Sequence, residues 1–375
     1  MVADDLGAPR HMAVAENGDL YVALRGRRDR RGAALALRDT TGDGVADVRV
    51  TFDERGGTGI ELWRDWVYVG HDDGVVRYRR AAGALAPEGE PERIVTGLPA
   101  PGGHAAKPVE ISPEGDLYLN IGSPSNACQV DGREPGSPGE DPCEEREIHA
   151  SVWRFDADAP GQTLADGQRF AAGMRNTVAL EYNRLEGQVY AAIHGRDQLF
   201  QNWGDLYTAE ESAELPAEEF VRVTEGADFG WPYCYYDQRQ GRKVLAPEYG
   251  GDGETVGRCA EMDDPLIGFP GHWAPNDLLF YDGDQFPARY RGGAFIAFHG
   301  SWNRAPLPQE GANVVFVPRV DGEFGEWTVF ARGREDWAET REHRPTGLAI
   351  GPDGSLFISD DAGGRIWRVV YRPGG

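Results

Sequence analysis

The sequence predicts a six-bladed β-propeller of four-stranded antiparallel sheets, and three features of the chain lead to this fold class. The first is a repeated hairpin, in which a short alternating strand, a Gly-containing turn and a second alternating strand follow one another. The clearest copies are AVAENGDLYVA (13–23), EISPEGDLYLNIG (110–122) and AIGPDGSLFIS (349–359). Weaker copies occupy 59–70, 178–194 and 278–299. Six hairpins in series indicate radially repeated sheets.

The second feature is a further strand pattern after most hairpins, such as VVRYRR, SVWRFD and RIWRVVY, which extends each hairpin towards a full blade. The third is the scarcity of helical periodicity, which only residues 210–220 suggest. A β-sandwich is the alternative, but it does not explain six hairpins that each follow a similar polar segment. We expect residues 1–375 to form one propeller domain, with loop insertions at about 127–150 and 233–265.

Charge and hydropathy exclude two classes of partner. The formal net charge is −24, and neutralising the phosphates of a nucleic acid requires a basic surface. No apolar run approaches the roughly 20 residues that a transmembrane helix needs. The acidity itself is typical of a soluble surface rather than of a binding site.

The four cysteines flank two Gly- and Pro-rich stretches. Cys128 and Cys143 enclose the first, and Cys234 and Cys259 enclose the second. Neither spacing matches the tight pairs of a zinc site. We therefore predict two local disulfides, Cys128–Cys143 and Cys234–Cys259, which form in an oxidising compartment. A periplasmic or secreted location follows as an expectation, with a targeting segment that is not part of this chain.

Polar residues recur directly before the first strand of the hairpins, where a propeller brings its loops to the mouth of the central channel. They are His11, His104, Lys107, Arg175, Asn176, Asn276 and Arg344. Imidazoles, guanidinium groups, an ammonium and carboxamides around one cavity suit a ligand with several negative charges. The alternative is that these side chains only end strands and face solvent.

An ordered series of motifs carries a family resemblance. GGHAAKPVEISPEGDLYLNIG, GMRNTVALEYN, GADFGWPYC, FIAFHGSWNR and HRPTGLAIGPDGSLFISDDAGGRIWRV follow one another from residue 102 to residue 369. In order and spacing they resemble the glucose/sorbosone dehydrogenase family of soluble aldose sugar dehydrogenases, and most closely its sorbosone dehydrogenase branch. The resemblance implies a six-bladed propeller that binds pyrroloquinoline quinone (PQQ) and a Ca²⁺ ion anchoring the quinone.

The resemblance also implies roles for individual residues. His104 matches the catalytic base, a role that suits a neutral imidazole. Arg175 and Asn176 match the pair that contacts the cofactor, with Arg175 stabilising the reduced quinone. Gly230 and Pro232 match the turn whose main-chain carbonyls bind the cofactor's Ca²⁺. The remaining candidates for positioning the cofactor are Lys107, Trp231, Arg304 and Arg344.

Two positions depart from the glucose-oxidising members. The second residue of their R-x-R pair is Thr346 here, which puts the clamp on the cofactor carboxylates in doubt. The acidic residue that orients their base is replaced by Ser123. We therefore expect another group, such as Asn120 or Ser123, to orient His104.

A calcium-binding loop is predicted independently of the family. Asp39, Thr41, Asp43, Val45 (through its carbonyl) and Asp47 occupy positions 1, 3, 5, 7 and 9 of an EF-hand-like pattern. Gly44 permits the sharp turn, but Val50 stands where a bidentate Glu is usual. The alternative is an Asp/Gly-rich turn without a metal.

These observations predict an oxidoreductase that uses PQQ and Ca²⁺ to oxidise an aldose or a related sugar aldehyde to its lactone or acid. The electrons then pass to an external acceptor, such as a cytochrome or a quinone. The alternatives on this fold are a calcium-dependent lactonase, with Glu110, Asn176 and Asn276 around a metal, and a glycan-binding propeller without catalysis. Arginine and lysine in the same pocket fit an anionic cofactor better than a bare cation. Asp360 and Asp361 are further candidates for a metal or substrate site.

Overall fold

Six antiparallel sheets are arranged as blades around a central channel, which confirms the predicted propeller. The structure is a computed structural model that describes residues 1–27, 31–100, 102–333 and 343–373. In each blade the strands follow one another outward from the channel, so a blade is a meander of hydrogen-bonded neighbours.

The first three blades consist of β1 (Pro9–Val14), β2 (Leu20–Leu24), β3 (Ala33–Arg38) and β4 (Val48–Asp53); β5 (Gly59–Trp63), β6 (Trp66–His71), β7 (Gly74–Arg79) and β8 (Glu92–Thr96); and β9 (Val109–Ile111), β10 (Asp116–Ile121), β11 (Ser151–Asp156) and β12 (Gln168–Ala171). The last three consist of β13 (Ala179–Asn183), β14 (Gln188–Ile193), β15 (Glu218–Val223) and β18 (Ile267–Phe269); β19 (Pro275–Phe280), β20 (Ala294–His299), β21 (Ala312–Val317) and β24 (Thr328–Arg332); and β25 (Pro345–Ile350), β26 (Leu356–Asp360) and β27 (Arg365–Val369). Two small hairpins, β16 (Cys234–Asp237) with β17 (Arg242–Leu245) and β22 (Arg319–Val320) with β23 (Glu323–Phe324), lie outside the blades.

The chain start completes the sixth blade. The main-chain N–H of Val2 donates to the oxygen of Ile366, and the N–H of Ile366 donates to the oxygen of Ala3 (2.8 and 3.0 Å). Residues from the two ends of the described chain therefore share one sheet, and the ring closes without an open edge between the first and last blades.

The second strand of a blade is buried on both sides because neighbouring blades pack face to face. Every residue of β2 is buried, and so is every residue of β14 after its first. Large aromatic side chains fill the interfaces; Tyr190 of β14, for example, lies 4.8 Å from Phe280 of the next blade, measured between ring centroids. Full burial of such a side chain contributes roughly 1.5–3 kcal/mol, so the inter-blade layers hold the ring together.

The innermost strands begin, and the second strands end, on the same face of the ring, which we call the upper face. The pairing of Val109 with Leu119 illustrates the reason: β9 and β10 are antiparallel, so the residues before β9 adjoin those after β10. The segments that the sequence singled out before each innermost strand therefore meet at one end of the channel.

A long excursion brings the Gly-Trp-Pro turn to this face. After β15 the chain runs beside the end of β12, where Phe229 donates its N–H to Ala172 (3.0 Å), and it reaches the upper face at Gly230. Further on, Asp263 pairs with Asp228 on the way back to β18. In the described part of the chain, helices are short: α1 (Leu199–Trp203) and α2 (Ala209–Glu214) lie between β14 and β15, α2 within the segment where the sequence suggested a helical turn.

Both predicted disulfides are present. Cys128 is bonded to Cys143 and Cys234 to Cys259. The two bridges belong to a single hydrophobic cluster that also contains Trp231. The insertions 123–150 and 230–265 thus pack against each other on the upper face, and we call them together the insertion cap.

Candidate functional site

His104 is held in one tautomer. Its Nδ1 atom lies 2.7 Å from the main-chain oxygen of Ser123 and 3.1 Å from the Ser123 hydroxyl oxygen. Because a carbonyl only accepts, Nδ1 carries the proton and Nε2 keeps its lone pair. Burial, together with the nearby charge of Arg175, lowers the pKa of His104 to about 4. The imidazole is therefore neutral at pH 7, with Nε2 available as a base, and the expectation that Ser123 orients it agrees with this geometry.

The missing side chain of Gly122 makes room for this arrangement. A Cβ atom on Gly122 would lie 2.6 Å from Cβ of His104 and 2.9 Å from Oδ1 of Asn176. Real Cβ atoms do not approach other atoms so closely. His104 and Asn176 therefore both pack against a main-chain position that only glycine can fill.

Arg175 is buried and fully engaged. Its Nη2 donates to Oδ2 of Asp197 (3.1 Å) and to Oδ1 of Asn126 (3.0 Å), its Nε donates to the Asn126 carbonyl, and its Nη1 donates to the carbonyl of Gly195. Burial opposes the charge of Asp197, but hydrogen bonding to His272 and the charge of Arg175 outweigh it and hold the pKa of this carboxyl far below its usual range. A buried ion pair thus stands directly beside the imidazole.

Asn176 joins the blades that carry His104 and Arg175. Its Oδ1 accepts a hydrogen bond from Nδ2 of Asn120 (3.2 Å), and its Nδ2 lies 3.5 Å from Nδ1 of His194. Asn120 also accepts from the N–H of Thr177. The carboxamide is therefore fixed in orientation by both neighbouring blades.

Lys107 lies deeper than a surface contact with a ligand would require. Its side chain is fully buried and its Nζ donates to the carbonyl of Ala105 (2.8 Å). Burial lowers the pKa of Lys107 to about 8. The structure thus places the amine beneath the loop that carries His104.

The Gly-Trp-Pro turn is coupled to Arg175 through one atom. The indole Nε1 of Trp231 donates to the main-chain oxygen of Asn126 (3.0 Å), which also accepts from Arg175 (3.2 Å). Arg175, His194, Trp231 and Pro232 line one small cavity of about 20 Å³. The carbonyl of Gly230 accepts a hydrogen bond from the N–H of Cys234 (3.0 Å), which leaves one lone pair for another partner.

Arg304 has a different role from the predicted one. Its guanidinium group donates to the carbonyls of Pro308, Ala213 and Gly271 and to the carboxylate of Glu214. Its Nη2 also lies 3.4 Å from a carboxylate oxygen of Glu310, so the buried charge is already balanced within the fold. The structure corrects this prediction: Arg304 anchors the loop between β20 and β21.

Arg344 lies on the upper face between the last two blades. Its Nε donates to the main-chain oxygen of His299 (2.7 Å) and its Nη2 to that of Gly300. Its own N–H donates to Asp360, which places one of the two adjacent acids at this blade junction. The other, Asp361, accepts from Arg10 and contacts Nε2 of His299. These two carboxylates are therefore held by basic partners within the fold.

Two of the candidate residues, His11 and Glu110, line the central channel and not the site around His104. His11 contacts the carbonyl of Asn276 and lines the central channel together with Glu110. Glu110 and Asn176 thus belong to different parts of the molecule, the channel and the upper-face site, and they do not form the metal cluster that a lactonase would need.

The loop from Asp39 to Asp47 lies on the opposite face, between β3 and β4. The carboxylate of Asp39 accepts from the N–H groups of Thr41, Gly42 and Gly44, and that of Asp47 accepts from Thr40. Within the described ranges, the carboxylates of this loop do not form a group of three with oxygens within 4.8 Å of one another. Calcium binding by Asp39, Thr41, Asp43, Val45 and Asp47 stays a prediction.

Three site residues escaped the sequence analysis. Asp197 pairs with Arg175, Asn126 supports both Arg175 and Trp231, and Asn303 donates from Nδ2 to Oδ1 of Asp197 (2.8 Å). The sequence did contain a signal for Asp197. A His-Gly pair ends two successive hairpins, at His194-Gly195 and His299-Gly300, and Asp197 stands two residues after Gly195.

Comparison with known proteins shows the family of the chain. The TrAA12-like family matches residues 1–372. This chain belongs to the TrAA12-like family. It is 27% identical over 243 residues to a pyrroloquinoline quinone-dependent pyranose dehydrogenase of Coprinopsis cinerea, a match that covers 56% of this chain and 32% of that protein. The chain spans less than half of the length of the curated relatives it matches.

Solved structures share the fold of this TrAA12-like protein. The holo form of the PQQ domain of the C. cinerea pyranose dehydrogenase superposes with a TM-score of 0.77 at 20% identity, covering 99% of this chain and 94% of that one. A calcium structure of the Trichoderma reesei AA12 enzyme superposes with a TM-score of 0.78 at 19% identity, covering 98% and 93%. At these identities the likeness establishes the propeller alone. In the described residues of the TrAA12-like chain, no helix is both long enough and apolar enough to cross a membrane.

Proposed function

We propose that this TrAA12-like protein is a PQQ-dependent sugar dehydrogenase that oxidises an aldose or related sugar aldehyde at C1. The observation that carries the proposal is His104, neutral and fixed by Ser123 so that Nε2 is an unprotonated base, next to the buried Arg175–Asp197 pair. The similarity of this chain to the PQQ-dependent pyranose dehydrogenase of C. cinerea supports the choice of cofactor and substrate class.

The chemistry of the donor set fits PQQ, which carries three carboxylates. The upper face supplies the guanidinium groups of Arg175 and Arg344, and Lys107 adds a positive charge beneath the His104 loop. Guanidinium and ammonium groups attract carboxylates, and this attraction is stronger in a partly desolvated site. Asn176, fixed by Asn120, offers an oriented carboxamide, and Trp231 closes the site below the insertion cap.

A calcium ion fits beside the same turn. The carbonyls of Gly230 and Pro232 are hard oxygen ligands, which Ca²⁺ accepts when a bound anion provides the charge. Arg175 lines the same small cavity, so a cation is stable there only together with an anionic cofactor. We propose that calcium binds through Gly230 and Pro232 and depends on PQQ.

When bound, PQQ would supply the acceptor for the two electrons, which leave C1 of the sugar as a hydride, and an external acceptor such as a cytochrome or quinone would take them on. His104 takes the C1 hydroxyl proton at Nε2, while the bond from Nδ1 to Ser123 keeps the ring in place and stabilises the imidazolium that forms. Arg175 supplies positive charge where negative charge develops on the reduced quinone. Asp197 holds the guanidinium in position.

The location of the protein is part of the proposal. Two disulfides that support the insertion cap are stable outside the reducing cytosol. We therefore place the enzyme in the periplasm or outside the cell, where free sugars are accessible.

Titration of the purified protein with PQQ in the presence of Ca²⁺, followed by dye-linked turnover over a panel of aldoses, tests the proposal. We expect binding at a 1:1 ratio and turnover of at least one aldose. Titration with PQQ in the presence of EDTA tests the calcium ion, and we expect much weaker binding. Absence of binding at micromolar PQQ with Ca²⁺ contradicts the proposed function.

A further inference from the structure

An exposed tryptophan stands at the mouth of the proposed site. Trp302 is 58% exposed and belongs to the loop of residues 300–311 between β20 and β21, on the upper face. A single exposed aromatic residue is ordinary on a protein surface. What distinguishes Trp302 is the way in which its neighbours are held.

The residues on both sides of Trp302 are buried and tightly bonded. Ser301 is fully buried; its N–H donates to the oxygen of Glu310 and its hydroxyl to Gln309 (both 2.8 Å). Arg304 is 2% exposed, donates hydrogen bonds to Ala213, Gly271, Pro308 and Glu214, and forms an ion pair with Glu310 (3.4 Å). The loop is therefore rigid at the point where it presents an indole to solvent, and a rigid aromatic loses little conformational entropy when it binds a ligand.

The next residue connects the loop to the reacting groups. Asn303 donates from Nδ2 to Oδ1 of Asp197 (2.8 Å), and Oδ2 of Asp197 accepts from Arg175 (3.1 Å). Trp302 is thus one residue and two hydrogen bonds away from the guanidinium that adjoins His104. The loop that carries the indole therefore adjoins the proposed site.

Asn303 also has an unsatisfied atom. Its Oδ1 is buried and accepts no hydrogen bond within the described part of the chain. A buried acceptor without a donor costs about 1–3 kcal/mol, so the loop keeps this conformation because its other contacts outweigh that cost. Oδ1 has almost no accessible surface, so the indole is the group that a ligand reaches, and its apolar face matches the axial C–H groups of a sugar ring.

We infer that Trp302 is a stacking platform for a pyranose ring. The inference rests on the proposed sugar dehydrogenase function and specifies its substrate as a ring sugar rather than a small open-chain aldehyde. Trp302 acts on substrate binding and takes no part in proton or electron transfer.

The test compares Trp302→Ala and Trp302→Phe with the parent enzyme, each loaded with PQQ and Ca²⁺, on glucose and on glyceraldehyde. For Trp302→Ala we expect a roughly tenfold higher KM for glucose, equivalent to about 1.4 kcal/mol, with kcat within a few-fold of the parent. The KM for glyceraldehyde, which offers no ring, stays unchanged. Trp302→Phe retains most of the affinity for glucose.

Trp367→Ala is the matched control, because Trp367 is also partly exposed (37%) but lies on β27 of the last blade, outside the loop of residues 300–311. Its KM for glucose should equal that of the parent. A Trp302→Ala enzyme whose glucose KM is unchanged overturns the inference, and so does an equal rise of KM for glucose and glyceraldehyde.

Failure of the proposed function is recognised separately. If the parent protein binds no PQQ or turns over no sugar, the platform can still be tested by calorimetry. The parent protein and the Trp302→Ala variant are each titrated with glucose. Binding of glucose that disappears in the variant supports the platform without the enzyme, whereas no heat from the parent protein overturns both.

Discussion

The Nδ1 atom of His104 lies 2.7 Å from the main-chain oxygen of Ser123. Because this contact uses a carbonyl, the side chain at position 123 is dispensable for fixing the tautomer. We expect His104→Ala to lower kcat by about 10²- to 10⁴-fold, the usual contribution of a positioned base, with PQQ affinity within a few-fold of the parent. Ser123→Ala, the matched control, should keep most of the activity. Dye-linked steady-state kinetics and PQQ titration measure both; full activity of His104→Ala contradicts the assignment.

The charge state of His104 gives a second prediction. Burial and Arg175 lower its pKa to about 4 in the protein without cofactor, against 6.5 for an ordinary histidine. Anionic carboxylates placed nearby favour the imidazolium, so PQQ binding should raise this pKa. NMR titration of the His104 ring, assigned by comparison with His104→Gln, checks both values. A pKa near 6.5 without cofactor, or a fall on addition of PQQ, is incompatible with this electrostatic account.

Gly122 should be irreplaceable for activity. In Gly122→Ala the new Cβ would meet Cβ of His104 at 2.6 Å and Oδ1 of Asn176 at 2.9 Å, so one of these side chains must move. A displacement of about 1 Å at a catalytic group costs on the order of 10²-fold in rate. Gly132→Ala, in the same insertion cap but with no atom within 4 Å of the added Cβ, serves as the control. Circular dichroism checks that both variants are folded, and steady-state kinetics then compares their activities. Equal activities of the two variants would contradict the close packing around Gly122.

The site residues that sequence reasoning located share one property. His104, Arg175 and Asn176 lie directly before an innermost strand, and the propeller repeat fixes where such positions point. Arg304 and Asp197 lie in irregular loops, so no period predicts their partners. The carboxylates that engage Arg304 come from Glu214, 90 residues earlier in the chain, and from Glu310. The closing strand at Val2 and Ala3 was missed for a related reason, since two residues carry no periodic signal.

Asp197 should stabilise the fold as well as the site. Asp197→Asn keeps the shape of the side chain but leaves Arg175, whose side chain is only 5% exposed, without a counter-charge. Breaking a buried ion pair from one side costs roughly 3–5 kcal/mol, so the midpoint of denaturant unfolding should fall clearly. Asp65→Asn is the matched control, because the pair of Asp65 with Arg79 is exposed and such pairs contribute about 0–1 kcal/mol. If both variants unfold at the parent's midpoint, Asp197 does not balance a buried charge.

The central channel should make the protein less stable as the pH rises. Glu61, Glu110 and Glu181 line it, and burial raises the pKa of all three, that of Glu61 to about 7. Repulsion among the carboxylates adds to this effect for Glu110 and Glu181. Above a pH of about 4.5 the folded state therefore binds more protons than the unfolded state, and the free energy of unfolding declines with pH.

Replacing two of these acids should weaken the dependence of stability on pH. We expect Glu110→Gln/Glu181→Gln to unfold at higher denaturant concentration than the parent at pH 8, to resemble it near pH 4.5, and to lose less stability between these values. Glu88→Gln, at an exposed position, controls for the change in net charge. Urea denaturation at several pH values gives the free energy of unfolding for each variant. A double variant that loses as much stability as the parent between pH 4.5 and pH 8 would show that these carboxyl groups are ionised in the channel.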